Sequence, residues 1–185
     1  SINNHPNGDT RMTSKLKTDI LETVSGSGTI ALTNQLSGMT TASLPALTAA
    51  QMPSGSVIQV ASTGYSSSNI SVSANARADL MTITMTVRAN SKVMMWFESG
   101  QIDGSGTSSN ANIYFRVDGT DVDTGTNHYF YGASLRPSIN KIKLTNALSA
   151  GSHTFTVSGS AYGGAVVYNF QSIYTGSFMI QEIAG

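Results

Sequence analysis

Residues 112–124 read N-I-Y-F-R-V-D-G-T-D-V-D-T and contain the clearest strand–turn–strand pattern of the chain. Ile113, Phe115 and Val117 alternate with polar or amphipathic residues, which is the period of a β-strand with one buried face. Asp118-Gly119 follows at once, and this pair suits the two positive-φ positions of a type I′ hairpin turn. The stretch therefore predicts two antiparallel strands joined by a two-residue turn.

Side-chain pairing across this predicted hairpin is chemically consistent. A turn at 118–119 places Phe115 opposite Val122 on the inner face and Arg116 opposite Asp121 on the outer face. Both pairs are favourable, so the local sequence agrees with itself across two strands.

The composition is polar but weakly charged. Charged residues make up 11% of the 185, against about 25% in an average globular protein, and ten basic side chains balance ten acidic ones. There is no basic cluster for nucleic acid, no cysteine, and no apolar run near the roughly 20 residues of a membrane span. The start of the chain lacks a signal-peptide pattern. We expect no nucleic-acid partner, no membrane insertion and no cofactor.

The chain divides into an N-terminal arm with a linker, residues 1–53, and a head domain, residues 54–185. Residues 14–24 fit either a short amphipathic helix or an extended segment. Residues 40–53 allow one or two helical turns that Pro53 must end.

From residue 56 onward, short strand patterns alternate with turn signals. This rhythm predicts an all-β fold, an antiparallel β-sandwich of jelly-roll-like type, because no segment offers the helices of a βαβ fold. The predicted strands are 57–61, 70–73, 80–88, 93–98, 113–117, 120–123, 129–133, 139–145, 153–158, 165–170 and 177–183.

Alternation assigns most side chains to the inner faces of these strands. The expected inner residues are Met81, Ile83, Met85, Val87, Val93, Met95, Phe97, Ile142, Leu144, Phe155 and Val157.

Two strands carry apolar residues on both faces. Trp96 and Met94 fall on the outer face of their strand, and the last strand has Phe178 and Ile180 on one side with Met179 and Ile183 on the other. An apolar outer face indicates that another subunit covers it. The predicted subunit-interface residues are Trp96, Met94, Phe178, Met179 and Ile183.

No catalytic motif is present, so we expect no enzymatic activity. The three histidines lack metal-ligand spacing, and His153 is expected at a strand end or partly buried. Asp118, Asp121 and Asp123 crowd the hairpin, where a solvated edge is favoured over a calcium site. Glu98 and Asp103 are the one conceivable carboxylate pair for glycoside hydrolysis, but they flank a Ser/Gly-rich loop.

Tyrosines beside Gly, Ser and Asn are typical of binding loops, because they are rigid and amphipathic. The expected exposed tips are Tyr162-Gly163-Gly164 and the loop 100–112, with Phe130 in the core of its strand. The predicted receptor-contact residues are Tyr129, Tyr131, Tyr162 and Asn110.

Several segments together resemble one protein family. T-S-K-L-K-T-D-I at 13–20 followed by S-G-S-G-T-I-A-L at 25–32, M-P-S-G-S-V-I-Q-V at 52–60, L-S-A-G-S-H-T-F-T-V at 148–157 and F-M-I-Q-E-I-A-G at 178–185 are similar to segments of small tail-fibre-like structural proteins of marine bacteriophages. The hairpin with 148–157 also resembles trimeric C1q/TNF-like heads at the level of pattern.

The resemblance implies a homotrimeric virion appendage, assembled in the host cytoplasm, whose head faces a host surface glycan or protein. The N-terminal arm would dock to other virion proteins, with Leu16, Ile20 and Leu21 as candidate docking residues. A capsid decoration or head-fibre protein without a receptor is the alternative.

Overall fold

The structure is a computed structural model, and it describes residues 51–65, 69–104, 109–130, 136–169 and 175–185. These residues all belong to one compact unit that spans residues 47–185. The described part of the chain contains no α-helix. It therefore offers no helix that is long and apolar enough to cross a membrane.

Twelve strands form the described part of the chain. They are β1 Val57–Gly64, β2 Ile70–Val72, β3 Arg77–Val87, β4 Lys92–Gly100, β5 Ile102–Gly104, β6 Asn110–Val117, β7 Thr120–Asp121, β8 Thr126–Tyr129, β9 Asn140–Leu144, β10 Gly151–Tyr162, β11 Val166–Tyr168 and β12 Thr175–Ile183.

The strands form three antiparallel sheets. The first sheet has the order β1-β12-β4-β9, and the second has the order β3-β10-β6-β7, with β8 also paired to β6. A small third sheet has the order β2-β11-β5. The chain crosses from one main sheet to the other between most successive long strands, which is the double-sheet connectivity of a jelly roll. The expected fold class, an all-β antiparallel jelly-roll-like sandwich, is confirmed.

The core lies between the two main sheets. The rings of Phe115 in β6 and Phe178 in β12 stack with centroids 6.0 Å apart and so join the second sheet to the first. Apolar residues of β3, β4 and β10 make up a large part of this core, as alternation predicts, and further residues of β6 and β12 join them. They include Met81, Ile83, Met85, Val87, Val93, Met95, Phe97, Phe155 and Val157.

The hairpin of residues 112–124 forms as predicted. Asp118 and Gly119 have φ angles of 50° and 79°, and Arg116 pairs with Asp121 across the strands. The short β7 ends at Asp121, two residues earlier than expected. This hairpin places β6 in the second sheet with its apolar face on the core.

The predicted inner face of β9 is wrong by one residue. Ile142 and Leu144 lie on the outer face, and Lys141 points into the sandwich with only 8% of its surface exposed. Lys141 Nζ donates a hydrogen bond to the carbonyl oxygen of Ile113 at 2.8 Å and forms an ion pair with Asp123 at 3.0 Å. These partners satisfy the buried cation, so the apolar residues of β9 face outward.

The predicted exposed loop at 100–112 is also wrong for its described residues. Residues 102–104 form β5 of the third sheet, and residues 110–112 begin β6. Ile102 and Ala111 are fully buried. Small residues permit this packing, because a side chain at Gly104 would collide with the ring of Phe130, itself buried in the core as expected.

Several sequence predictions lie outside the described residues. They are the arm and linker of residues 1–50, the docking candidates Leu16, Ile20 and Leu21, and the receptor-contact candidate Tyr131.

Candidate functional site

Three of the predicted receptor-contact residues lie side by side on the outer face of the second sheet. Asn110 in β6 pairs with Tyr129 in β8 on one side and with Tyr162 at the end of β10 on the other. Directly paired residues of a sheet point to the same face. Asn110, Tyr129 and Tyr162, which are distant in sequence, therefore lie side by side in one row across the sheet.

The next row on the same face is polar. Asn112 in β6 pairs with Asn127 in β8 and with Ser160 in β10, and Ser160 pairs in turn with Arg77 in β3. The residues of this row take no part in the core, because the apolar residues of β6 alternate with them and fill the core on the other face of the sheet.

The two rows enclose a groove with a volume of about 540 Å³. This size falls in the range of about 300–1,000 Å³ that small-molecule sites occupy. We refer to this surface as the Asn–Tyr groove. Its main lining residues are Arg77, Asn110, Asn112, Asn127, Tyr129 and Tyr162.

The two tyrosines form the exposed walls of the Asn–Tyr groove. Tyr129 is 53% exposed and Tyr162 is 63% exposed, which is unusual for large aromatic side chains. Such rings present an apolar face and a polar tip to a ligand at little cost in conformational entropy.

Asn110 departs from its predicted role as an exposed contact. Its side chain lines the floor of the Asn–Tyr groove, yet the residue is only 3% exposed. Its Oδ1 atom has no hydrogen-bond partner among the described residues. Buried polar groups are nearly always satisfied, so an unpaired one needs an explanation.

Arg77 is the one charged residue among the described lining of the Asn–Tyr groove, and its charge is neutralised. Its guanidinium donates two hydrogen bonds to the Asp121 carboxylate, at 2.9 and 2.7 Å, and these bonds lower the pKa of Asp121. The guanidinium also lies 4.1 Å from the ring centroid of Tyr114. Gly125 packs against that ring, where a Cβ atom would approach it to 2.6 Å. Asp121 and the Tyr114 ring therefore hold the Arg77 guanidinium in place, and Asp121 offsets its charge.

The outer face of the first sheet has the opposite character. In one row Met179 pairs with Trp96, and Trp96 pairs with Ile142. In the neighbouring row Val60 pairs with Gln181, Gln181 with Met94, and Met94 with Leu144. We refer to this surface as the apolar face. Its residues are Val60, Met94, Trp96, Ile142, Leu144 and Met179.

The apolar face contains some of the predicted subunit-interface residues but not all of them. Trp96 is 48% exposed, and Met94, Met179 and Ile183 are half-buried on the outer side. Phe178 is fully buried and stacks on Phe115, so its side chain is unavailable to a second chain. It alternates with Met179 along β12, and the inner position belongs to the core of its own head.

The three hairpin aspartates do not converge on one site. Each has a separate basic partner: His153 for Asp118, Arg77 for Asp121 and Lys141 for Asp123. In the described ranges no three His, Cys, Asp or Glu residues come together in a way that could hold a metal ion. The prediction of a solvated edge is wrong for Asp123, whose side chain is only 11% exposed beside Lys141.

His153 lies on β10 with its side chain 11% exposed, which confirms the predicted partly buried position. Its Nδ1 is 2.6 Å from Asp118 Oδ2, and its Nε2 is 3.0 Å from the carbonyl oxygen of Ser149. The hydrogen bond to Asp118 raises the pKa of His153.

The Glu98 and Asp103 carboxylates belong to different sheets. Glu98 lies in β4 of the first sheet, and Asp103 lies in β5 of the third sheet, 3.9 Å from Arg136 Nε.

Sequence reasoning missed Arg77, Asn112, Asn127 and Tyr114 as parts of the groove. A local signal existed, because Asn110, Asn112 and Tyr114 alternate with the core residues of β6. Arg77 on β3 and Asn127 on β8 come close to these residues only through the register of the sheet. The residue pattern of a single strand does not reveal that register.

No protein-family model and no curated protein matches this chain. Solved structures match part of it at low similarity. A structure of the infectious bursal disease virus Gx strain matches at 12% identity and a TM-score of 0.43, covering 69% of this chain and 32% of that chain. An insecticidal delta-endotoxin from Bacillus thuringiensis matches at 16% identity and a TM-score of 0.37, covering 61% and 19%.

A family 35 carbohydrate binding module from Clostridium thermocellum matches at 13% identity and a TM-score of 0.27, covering 60% of this chain and 98% of that chain. This chain thus spans about a third or less of the first two matched structures. The matches extend no further than a general likeness of β-rich folds.

Proposed function

We propose that this chain is a bacteriophage virion structural protein, a subunit of a trimeric fibre or spike that attaches the particle to a host surface. The exposed apolar face is the main observation in favour of an oligomer, and the sequence resemblance to tail-fibre-like proteins supports the virion role. The subunit performs no catalytic step and uses no cofactor.

The apolar face has the composition of an interface core. Its two central rows contain no charged residue, and the two charged residues of β4, Lys92 and Glu98, lie in the flanking rows on either side. Trp96 is exposed in the middle of the face. Interface cores lack charge and are rich in Trp and Met, whereas monomers rarely expose an apolar patch of this kind.

Further copies of the same chain are the occupants that we propose for this face. A homo-oligomer with closed rotational symmetry buries the same patch on every subunit. Three copies would cover the apolar face and leave the Asn–Tyr groove, on the opposite main sheet, open to solvent. Three grooves on one particle raise avidity without strong individual sites.

Light scattering of the full chain tests the trimer. We expect a particle of three 19.3 kDa chains at micromolar concentration. Trp96→Glu places a charge in the centre of the apolar face and should give monomers, because a buried unpaired charge is strongly unfavourable. Thr84→Glu is the matched control, since Thr84 is exposed on the second sheet. A monomeric wild-type chain overturns the trimer.

Electron microscopy of labelled particles tests the virion role. Antibody to this chain should mark a fibre or spike, and the purified protein should adhere to host cells and block adsorption. Label on the capsid surface without cell adhesion would instead establish a decoration protein. Absence from purified virions overturns the proposed function.

A further inference from the structure

We infer that the Asn–Tyr groove binds an uncharged oligosaccharide. This inference rests on the attachment role proposed above and specifies the chemical class of the receptor.

The first argument is the hydrogen-bonding character of the groove. Asn110, Asn112 and Asn127 line it together with Ser160. Each amide carries both donors and an acceptor, and each serine hydroxyl donates and accepts. Groups of this kind match sugar hydroxyls, which also donate and accept, better than they match a ligand that only accepts.

The second argument is the pair of exposed tyrosine rings. Tyr129 and Tyr162 lie on β8 and β10 on either side of Asn110, at 53% and 63% exposure. A sugar ring has an apolar face of C–H groups and a rim of hydroxyls. It can therefore pack on a tyrosine ring while its rim reaches the amides below.

The third argument is charge. Arg77 is the one charged lining residue that the structure describes, and Asp121 neutralises it through two hydrogen bonds. Because Asp121 already offsets the charge of the guanidinium, a phosphate, sulfate or carboxylate would gain little net attraction there. The groove therefore favours a neutral ligand over an anionic one, whether a nucleic acid or an acidic glycan.

The fourth argument is the unsatisfied Asn110 side chain. The residue is 97% buried, it lines the floor between the tyrosines, and its Oδ1 has no hydrogen-bond partner in the described part of the chain. Leaving a buried acceptor unpaired is unfavourable. The oxygen is shielded from solvent, so a ligand hydroxyl would pair with it, and remove that penalty, once the Asn110 amide turned toward the groove.

The test uses the full chain and a panel of defined oligosaccharides. Neutral members contain glucose, galactose, mannose or N-acetylglucosamine, and acidic members carry sulfate or sialic acid. Binding is measured by saturation-transfer NMR and by titration calorimetry. We expect at least one neutral oligosaccharide to bind and the acidic ones to bind no better than their neutral parents.

Variants connect the binding to the groove. Tyr129→Ala and Tyr162→Ala should each weaken binding by about tenfold or more, because exposed aromatic anchors dominate such sites. Tyr129→Trp, which keeps an aromatic face, should retain binding. Asn146→Ala is the control, since Asn146 is an exposed amide outside the groove. Unchanged thermal unfolding of each variant excludes a loss of folding.

Two results overturn the inference while the proposed function stands. One is adhesion to host cells that neutral oligosaccharides do not inhibit and that the Tyr129→Ala and Tyr162→Ala substitutions leave unchanged. This result would indicate a protein receptor that binds a different surface of the chain. The other is binding confined to acidic glycans. Failure of the proposed function is a separate result, namely absence of the chain from virions.

Discussion

Lys141 Nζ lies 3.0 Å from Asp123 Oδ2, so a cation from the first sheet pairs with a carboxylate that follows β7 of the second. Both side chains are largely buried, and the lysine also donates to the carbonyl oxygen of Ile113. Burial lowers the pKa of Lys141, and the hydrogen bond to Asp123 opposes this shift. The pair joins the two sheets of the sandwich by a polar contact beside the apolar core.

Breaking this pair should destabilise the head strongly. Lys141→Met leaves Asp123 buried without its cation, and we expect a loss of about 3–5 kcal/mol in the free energy of unfolding, measured in guanidinium chloride. Adding Asp123→Leu should recover part of the loss. Lys143→Met on the same strand is the control, expected within about 0.5 kcal/mol of wild type. Equal stability of both single variants would contradict the buried pair.

The contact between His153 and Asp118 should make stability depend on pH near neutrality. The pKa of His153 is raised by its hydrogen bond to Asp118, so the stabilisation is complete below the ordinary histidine pKa. It is lost as the pH rises through the raised value. Because Asp118 is half exposed, the effect should be below about 1 kcal/mol.

The same contact predicts a second loss in acid. Hydrogen bonds from the Thr154 amide and from His153 lower the pKa of Asp118, so its contribution is present above the ordinary aspartate pKa and disappears as the pH falls through the lowered value. Unfolding midpoints of Asp118→Asn measured from pH 3 to pH 9 should show a flatter profile than wild type. Asn tolerates the positive φ of this turn, so the backbone is preserved. Parallel profiles would contradict both assignments.

Gly159 in β10 should resist substitution. A Cβ atom there would lie 2.6 Å from Tyr168 Cζ, and the buried Tyr168 hydroxyl donates a hydrogen bond to the Ser160 carbonyl oxygen at 2.9 Å. We expect Gly159→Ala to lose about 1–3 kcal/mol through overpacking. The loss should be smaller in a Tyr168→Leu background, because the clashing ring is absent there. Additive losses in this double-mutant cycle would contradict a direct contact.

Glu182 in β12 is fully buried and should be needed as an ionised acceptor. Burial raises its pKa, but hydrogen bonds from the Arg88 amide, Ser91 and Gln59 together outweigh burial and lower it. In Glu182→Gln an amide N–H group would face another N–H donor and could not accept its hydrogen bond. We expect the free energy of unfolding to fall by about 1–3 kcal/mol at pH 7.

The pH dependence separates this role from packing. A lowered carboxyl pKa gives stability that is present above the ordinary glutamate value and lost as the pH falls through the lowered value. The difference between wild type and Glu182→Gln should therefore shrink in acid. A constant difference from pH 7 to pH 3 would indicate that the side-chain shape matters and its charge does not.

The sequence was sufficient for the fold because most strands alternate strictly. The hairpin at 118–119, the buried stripe of β3 and the outward position of Trp96 were all predicted from period and turn chemistry, and the structure confirms them. For the β9 segment N-K-I-K-L the predicted inner face is wrong, because alternation alone does not say whether its apolar or its lysine positions face the core. The partner that admits Lys141 to the interior, Asp123, is distant in sequence and not visible in a local pattern.

The site was less predictable than the fold. Residue type alone points to Tyr129 and Tyr162 as contact residues, but their adjacency through Asn110 depends on the register of three strands. Asn110 was expected at a loop tip, because Gly and Ser residues precede it. It lies instead in β6, paired with Tyr129 on one side and Tyr162 on the other, and it is buried there.

The strict alternation along β6 has a consequence for how the head can vary. Every second residue, Ala111, Ile113 and Phe115, belongs to the core, and the residues between them face the groove. Substitutions at Asn112 or at the tyrosine walls therefore leave the core packing untouched. Under the proposed attachment role, single replacements on this surface would change which receptor is bound while the scaffold stays folded, so receptor choice and stability would be free to evolve separately.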